Sequence, residues 1–442
     1  MNNYKDMLEC EIGRFLRSRI RCEMADARRY YRGDHDVLHR KRTAVGADGG
    51  MITLDKLPCT RIVNNQYGRL VDQKVNYSLG KPLTVDCEDR TFTYFLRDYF
   101  TGGAQSLWRR AATDAINCGV SFLHPFIDER GSLRLTEFDP MWCVPFWRDL
   151  AHTELDMLVR LCPVERYDGR RYHREVAVFV YDDSGVGEYE YKNGVLSPRG
   201  YRPYHFKDAD GGRYVWDAVP IIPVKYNRDG IPMIRRARAL QDAINELYSD
   251  FCDNMKENSR SSVLVLKNFD GEDLGEFRRN LAVYGAVKVR SEPGAEGGVE
   301  TLSVDVDADN YDSICSMLSE ALTECCRGFD SHDGRLGNNP NRMNVLAMYS
   351  DIDLDANGFE TELSSSFDAF VAYARSYAYY TGIGDFTRTP VRIVCNRDLL
   401  INEADIVDSL SKSQGIVSPR TLVMAHPLVD DAEAELDRLG IE

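Results

Sequence analysis

Two long stretches with helical periodicity, separated by one short insert, constrain the fold of this chain more than any other feature. In residues 235–258, and again in residues 308–327, apolar side chains recur at the spacing of one helix face. The insert between them, residues 261–307, alternates strand-like and helix-like patterns. Two helices that flank a small insert can pack antiparallel and carry it at their tip. The sequence therefore predicts a two-helix stalk that ends in a small α/β unit.

The rest of the chain mixes helical and β patterns. Helical spacing predicts further helices over 4–31, 61–79, 105–118 and from 343 past 373. In residues 404–439 it predicts two short helices separated by 415–419, where Ser418 is placed to cap the second helix and Pro419 to occupy its first turn.

Between residues 120 and 226 the apolar period changes from helical to two, which is typical of strands. Asn193-Gly194 predicts a hairpin turn, and the prolines of residues 219–224 favour an edge strand or an extended connection. Residues 390–395 alternate as a further strand. The predicted class is therefore α+β, with a meandering antiparallel β region.

Residues 328–342 carry Asp, Asn and Gly with almost no apolar side chains. Such a composition is typical of a surface loop. We therefore predict that this stretch separates two helices as a loop.

Composition excludes several classes of protein. With 442 residues, 43% of them hydrophobic, the chain can bury a sizeable core and is not of the disordered class. No apolar run approaches the ~20 residues needed to cross a bilayer, and the charged N-terminal stretch does not resemble a signal peptide, so we expect a protein that is cytosolic when made, with no membrane partner. The net charge of −15 disfavours a protein that binds nucleic acid tightly through a basic, phosphate-neutralising surface. It does not exclude a protein along which DNA only slides.

The usual catalytic and metal motifs are missing from the sequence. Gly80-Lys81 runs into Pro82, so it is not a phosphate-binding loop. The 12 cysteines contain no CxxC pair and predict reduced thiols. His35 and His39 could share a helix face, but no further metal ligands follow nearby. We therefore predict no enzymatic activity, no catalytic residue, no metal and no cofactor.

One acidic stretch, residues 353–358, partly matches a calcium-binding pattern. Asp353, Asp355, Asn357 and Gly358 match the first half of a calcium-binding loop, but the position of the essential bidentate glutamate is Ser364. A helix with an acidic face explains the same residues. A metal-dependent enzyme built around Asp351, Asp353 and Asp355 remains an alternative at this point.

Several strings of this sequence resemble one known family. The most specific is RIVNN at 61–65, which continues to LVDQKV at 70–75 and YSLGKP at 77–82. Others are YYRG at 30–33, VPIIP at 219–223, NVLAMY at 344–349, NR at 396–397 and GIVSP at 415–419. With the order of elements, they resemble the portal proteins of tailed double-stranded DNA bacteriophages, of the siphophage type. The similarity runs along nearly the whole chain. The start of the helix after the loop departs from the family pattern, with Met343-Asn344-Val345-Leu346.

The resemblance implies the portal-protein fold, which has a β-rich wing, a two-helix stem, a small α/β clip, a tunnel loop with a long kinked helix, and a short helical crown. The corresponding segments would be 1–234 for the wing, 235–260 and 308–327 for the stem, 261–307 for the clip, 328–342 for the tunnel loop, 343–403 for the long helix and returning wing strand, and 404–442 for the crown.

The resemblance also implies a function. About twelve copies would form a ring at a unique capsid vertex of the virion, through which double-stranded DNA passes without sequence specificity during packaging and ejection. Expected partners are the terminase large subunit, a head-completion (adaptor) protein, and the major capsid and scaffolding proteins, with assembly in the host cytoplasm. A non-viral oligomeric scaffold of similar architecture is the alternative.

Two sets of residues would then face the DNA channel. In the loop the candidates are Arg335, Asn338, Asn339, Asn341 and Arg342, with the arginines contacting phosphates and the asparagines giving neutral contacts. On the first stem helix they are the acidic residues Asp242, Glu246, Asp250, Asp253 and Glu257. An acidic wall would repel phosphate and let the duplex slide. Exposure of that face to solvent or to neighbouring stems is the competing expectation.

Overall fold

The structure of the chain is a computed structural model. The structure describes residues 2–45, 50–53, 57–167, 169–204, 206–207, 213–214, 216, 218–258, 263–267, 298–302, 308–330, 342–397, 403–429 and 432–440. Helices and strands are both abundant in these residues, which confirms the predicted α+β class.

The described helices, numbered along the chain, are α1 Asn2–Leu16, α2 Arg19–Tyr31, α3 Gln66–Leu79, α4 Arg90–Phe100, α5 Gln105–Cys118, α6 Ile234–Asn258, α7 Ala308–Cys325, α8 Arg342–Tyr380, α9 Glu403–Lys412, α10 Pro419–Met424 and α11 Ala432–Leu439.

The described strands are β1 Thr43–Val45, β2 Met51–Thr53, β3 Thr84–Cys87, β4 Val120–Ile127, β5 Leu133–Phe138, β6 Cys143–Trp147, β7 Leu155–Tyr167, β8 Tyr172–Tyr181, β9 Gly185–Lys192, β10 Val195–Pro203, β11 Phe206–Lys207, β12 Arg213–Tyr214, β13 Ile222–Lys225, β14 Val263–Lys267, β15 Gly298–Leu302 and β16 Val391–Val394.

Contacts divide the chain into two compact units. The first unit comprises Met1–Tyr31, Tyr67–Arg236 and Thr323–Glu442, and the second comprises Arg32–Gln66 and Ala237–Leu322.

The largest sheet of the first unit is antiparallel, in the order β10-β9-β8-β7-β6. Leu8 and Ile12 of α1 are fully buried in one core with Val159 and Val178 of this sheet. The predicted turn at Asn193-Gly194 joins β9 to β10, and both of its residues have positive φ, as a tight hairpin requires. The predicted antiparallel meander is therefore confirmed.

The N-terminal helical stretch, predicted as one helix over 4–31, is two helices. Ser18 lies between α1 and α2, and its hydroxyl accepts a hydrogen bond from the backbone N–H of Arg21 at 3.2 Å. A serine that caps the second helix in this way ends the continuity of the first.

A smaller antiparallel sheet has the order β13-β4-β5 and adjoins α5. The proline-containing strand β13 is at its edge, as predicted. Gly119, between α5 and β4, has a φ of 84°, and a Cβ atom built there would overlap the carbonyl oxygen of Gly230. Only glycine allows this close approach of two backbones.

Helices α4, α5 and α8 share an aromatic core. Trp108 of α5 lies edge-on to Phe367 of α8 with 4.8 Å between ring centroids, and Phe100 of α4 stacks on Trp108 at 5.5 Å. Phe100, Trp108 and Phe367 are each no more than 1% exposed. The bounds predicted for α5 are confirmed, whereas α4 was not predicted from the sequence.

The C-terminal tail contains three described helices rather than the two that were predicted. Ser418 caps α10 by accepting a hydrogen bond from the N–H of Thr421, and Pro419 occupies the first turn, as the sequence indicated. The connections between these helices carry exposed apolar side chains in the single chain, with Ile416 at 83% and Leu428 at 73%.

In the second unit α6 and α7 are in contact. Phe251 and Tyr311 have ring centroids 5.0 Å apart, and the side-chain amide of Asn254 donates to the Tyr311 hydroxyl at 3.1 Å. Strands β14 and β15 from the insert pair antiparallel. The predicted helix and strand at 273–290 lie outside the described residues.

A search of the described helices for a stretch long and apolar enough to traverse a bilayer finds none.

Candidate functional site

A row of buried polar side chains runs along one face of α6 in the second unit. Gln241, Asn245, Ser249 and Asp253 follow one another at four-residue intervals, and each is at most 1% exposed. Residues four apart lie on the same face of a helix. Because buried polar groups are costly unless they are hydrogen-bonded, this row requires partners.

The partner of this row is the backbone of the extended segment at residues 60–64. Asp253 accepts from the N–H of Thr60 at 2.7 Å, Ser249 accepts from Ile62 at 3.0 Å, and Asn245 accepts from Asn64 at 2.9 Å. Gln241 completes the row by donating to the Asn64 carbonyl oxygen at 2.7 Å. We call these four side chains the polar ladder.

The ladder works because two repeats nearly coincide. Four residues of an α-helix rise about 6 Å, and two residues of an extended chain advance about 6.6 Å. Alternate N–H groups of the segment therefore meet successive ladder side chains as the segment runs antiparallel to α6. This geometry corrects the sequence prediction of a helix over 61–79: α3 begins only at Gln66, because the preceding N–H groups bind the ladder.

Further contacts in the second unit hold the chain that precedes the segment. The buried His35 lies between two amides, 2.8 Å from Asn245 Nδ2 and 3.3 Å from Asn65 Oδ1. Arg40 forms an ion pair with Asp250, and Arg238 pairs with Asp36 at 2.8 Å. Residues 35–40 and 60–64 are therefore fixed along α6 at several points.

These contacts involve several of the acidic α6 residues that were predicted to line a channel. Asp253 is 1% exposed and belongs to the polar ladder, so the structure removes it from the surface, which corrects its assignment as a channel residue. Asp250 pairs with Arg40, and Asp242 with Arg238 at 3.8 Å. Glu246 is exposed. Glu257 is within α6, but its side chain lies outside the description. Channel lining by Asp242, Glu246, Asp250 and Glu257 stays a prediction.

The predicted loop residues Arg335, Asn338, Asn339 and Asn341 lie outside the described residues. Arg342 is the first residue of α8, and its side chain lies outside the description. Their role therefore stays a prediction, but the structure describes the chain on either side of them.

In the first unit, α3 fixes the chain directly before residues 331–341. Gln73 binds the backbone of Phe329 twice, donating to its carbonyl oxygen at 2.7 Å and accepting from its N–H at 2.9 Å. The Phe329 ring stacks on Tyr349 of α8 at 4.4 Å, and Tyr349 stacks on Tyr77 of α3 at 6.0 Å. The residues before and after 331–341 are thus joined through one aromatic stack.

A buried lysine lies next to this stack. Lys74 of α3 donates to Asp355 of α8 at 2.5 Å and to the Arg327 carbonyl oxygen at 3.1 Å, and its side chain is 3% exposed. Burial lowers the pKa of Lys74, while the neighbouring Asp355 carboxylate opposes that change. Tyr226 also donates to Asp355, at 3.0 Å, and burial followed by the Asp355 charge raises the Tyr226 pKa well above its ordinary value.

A second cation binds the same helix one turn away. Arg397 pairs with Asp353 at 2.7 Å and with Glu360 at 3.0 Å, and it also donates to Asn357. Hydrogen bonding to Glu360 raises the Arg397 pKa, so the guanidinium stays charged.

The helix that contains these acidic residues decides between the two interpretations of the acidic stretch. Asp353, Asp355 and Asn357 lie within the continuous helix α8, whereas a calcium-binding loop must wrap around its ion. The helical interpretation is therefore confirmed. Within the described residues no three His, Cys, Asp or Glu side chains are grouped so that they could hold a metal ion.

Sequence patterns alone did not identify Gln73, Lys74 or Arg397. Their partners are 256, 281 and 37 to 44 residues away, so spacing along the chain gave no signal. The strings behind the family resemblance do contain them, however. Residues 61–64 belong to the extended segment that the polar ladder binds, residues 70–77 supply Gln73, Lys74 and Tyr77, and residues 396–397 supply Arg397.

One family model and two curated relatives match the chain along most of its length. A family model described as phage portal protein, SPP1 Gp6-like, matches residues 14–442. The portal protein of Bacillus phage SPP1 is 26% identical over 424 residues, covering 94% of this chain and 82% of the relative. The portal protein of Clostridium phage phiCD119 is 24% identical over 439 residues, covering 96% and 92% respectively. Among solved structures, a chain from the neck of an empty GTA particle aligns with a TM-score of 0.44 and 12% identity, covering 85% of this chain and 90% of that one.

Proposed function

The chain belongs to the SPP1 Gp6-like family of phage portal proteins, and from this premise we propose that about twelve copies of it form a ring at a single capsid vertex. Double-stranded DNA would enter the capsid through the axis of this ring during packaging and leave through it at infection. The observation that carries the proposal is the family match over residues 14–442, which includes residues of both units.

The charge of the chain fits a channel that lets DNA slide. Twelve chains at −15 each carry about −180 in total, and an acidic wall repels phosphate instead of binding it. On α6, Glu246 is exposed and no ion pair to it occurs among the described residues, so it is the strongest candidate for the wall. The loop at residues 328–342 would narrow the channel and bring Arg335 to the phosphates.

The insert 261–307 would dock the packaging motor first and a head-completion protein later. ATP hydrolysis would belong to the motor, the terminase large subunit, because this sequence carries no phosphate-binding loop. The role of the chain itself is structural rather than enzymatic. It would assemble in the host cytoplasm with capsid and scaffolding proteins and remain in the virion.

Electron microscopy of the purified chain tests the ring. We expect negative-stain images of rings with a central hole, and a native mass of about 600 kDa for twelve copies of the 50.3 kDa chain. Mass photometry counts the copies independently of the images. Monomers or dimers at every concentration up to the solubility limit would contradict the proposal.

Packaging in vitro tests the channel residues. Glu246→Lys should slow DNA translocation or leave DNA bound in the ring, because a basic wall binds phosphate. Glu129→Lys, at an exposed position of a β-turn in the first unit, is the matched control and should package normally. Equal translocation rates for both variants would contradict the assignment of Glu246 to the wall.

A further inference from the structure

The outward face of α7 in the second unit combines acidic and apolar side chains. Met317 is 60% exposed and Ile314 is 42% exposed. Asp309, Asp312 and Glu320 are also exposed, and the helix contains no Lys or Arg. No ion pair to these three acids occurs among the described residues. The face is therefore negative and partly apolar.

The segment 32–66 of the same unit has an edge of the opposite character. Lys41 and Arg61 are exposed, and Lys41 shortly precedes strand β1. Arg61 donates to the carbonyl oxygen of Arg40, the neighbour of Lys41, at 3.2 Å. In that hairpin Met51 is 69% exposed and Ile52 is 49% exposed. This edge is therefore positive and partly apolar.

Among the described strands, the β1–β2 hairpin is a two-stranded sheet by itself. Its strands pair with each other over three residues each, and every described side chain of β2 is exposed. A two-stranded hairpin is at best marginally stable in water unless another element packs on it. Since Met51, Ile52, Ile314 and Met317 are all exposed in one chain, the two faces do not cover each other within that chain.

We propose that the acidic and apolar face of α7 in one copy binds the basic edge and the β1–β2 hairpin of residues 32–66 in the next copy around the ring. The occupant of each face is thus a second copy of this chain. The inference rests on the proposed ring and specifies which surfaces build it.

Charge favours this pairing over its alternatives. Two α7 faces brought together would place acid against acid, and the chain as a whole is already at −15, so copies repel one another unless opposite charges meet. A contact between two different surfaces is also the kind that closes into a ring, whereas a contact of one surface with itself gives a dimer.

Charge reversal with mixing tests the proposal. Variant one carries Asp309→Lys and Glu320→Lys, and variant two carries Lys41→Glu and Arg61→Glu. Each alone should form rings only at a protein concentration at least tenfold above that of the original chain, since like charges now meet. Mixed in equal amounts, the two variants should regain rings with an even number of copies, because the lysine face of one meets the glutamate edge of the other.

A control variant outside the proposed contact separates the effect of charge reversal there from a general effect of charge. Glu129→Lys with Asp183→Lys changes the same number of exposed acids in the first unit and should leave ring formation unchanged. If the original chain forms no rings, the proposed function fails. If it forms rings and either variant alone forms them at the original concentration, the α7–hairpin contact is refuted, as it is if mixing two folded variants restores nothing.

A second measurement uses the unaltered chain and does not depend on the folding of variants. Amide hydrogen exchange of residues 50–53 should slow at least tenfold when dissociated chains assemble into rings, because the hairpin becomes covered. Exchange rates that are the same in chains and rings would refute the contact.

Discussion

The polar ladder makes a prediction that can be worked through from single atoms. Ser249→Ala removes one hydroxyl, which accepts from the Ile62 N–H at 3.0 Å and donates to the Asn245 carbonyl oxygen at 2.7 Å. The substitution leaves only a small space, so loss of packing contributes little. What remains is the Ile62 N–H without its acceptor, because the Ser249 hydroxyl that it bound is gone. The Ser249 side chain is fully buried in the original chain.

The size of the effect follows from two opposing contributions. An unmatched donor costs about 1–3 kcal/mol when it is buried, and Ile62 is only half-buried, so we take about 1–2 kcal/mol. Alanine is a better helix former than serine by about 0.5 kcal/mol, which partly offsets the loss. The net destabilisation of the extended segment at residues 60–64 should be about 1 kcal/mol.

Ser316→Ala is the matched control. Ser316 is exposed on α7 of the same unit, so its replacement changes helix propensity without removing a ladder contact. This variant should be unchanged or slightly more stable. The difference between the two variants, about 1–2 kcal/mol, isolates the ladder contribution and corresponds to a factor of about 5–30 in an equilibrium constant.

Native-state amide exchange is the assay, because it reports the release of one segment without unfolding the whole chain. Peptides that span residues 58–66 should exchange about 5–30 times faster in Ser249→Ala than in Ser316→Ala. Peptides from α4 and α5, in the other unit, should exchange equally in both. If the two variants exchange alike at 58–66, the ladder does not hold the segment and the reasoning is refuted.

Three further predictions concern the first unit. Lys74→Met should lower the free energy of unfolding by about 3–5 kcal/mol in urea titrations, because it leaves the half-buried Asp355 carboxylate without its cation. The double variant Lys74→Met with Asp355→Leu should recover most of that loss. Equal losses in the single and the double variant would contradict the pairing. Burial, followed by the charge of Asp114, raises the pKa of Glu137 to about 7. Between about pH 4.5 and 7 the folded state therefore keeps a proton that the unfolded state releases, and the free energy of unfolding should fall as pH rises through this range. Glu137→Gln should remove this slope and be the more stable protein at pH 8, by at most about 3 kcal/mol, and parallel pH profiles of urea unfolding would contradict the assignment. Gly119→Ala should cost about 2–4 kcal/mol, from the positive φ and the overlap with Gly230, whereas Gly358→Ala, in open space on α8, should change thermal stability by at most about 1 kcal/mol in the stabilising direction.

Local features of the fold were predictable because neighbouring residues specify them. The bounds of α5, the long helices α6 and α7, the Asn193-Gly194 turn and the Ser418 cap all follow from patterns within a few residues. The same local rules favoured a helix over 61–65, since Ile62 continues the apolar spacing of α3. That prediction was wrong because the polar ladder offers the N–H groups of this segment acceptors that a pattern along the chain does not reveal.

The sequence by itself determined most of the long helices, the antiparallel β region, the Asn193-Gly194 turn and the family resemblance, since helical and strand periods, turn residues and motif strings are properties of positions close together in the chain. Only the tertiary structure decided how the acidic residues are used. It placed Asp355 on Lys74, 281 residues away, and Asp253 beneath the backbone of Thr60, 193 residues away. A carboxylate has the same identity in the sequence whether it faces solvent, a cation or a backbone amide. Its role depends on which distant groups the folded chain brings within hydrogen-bonding distance.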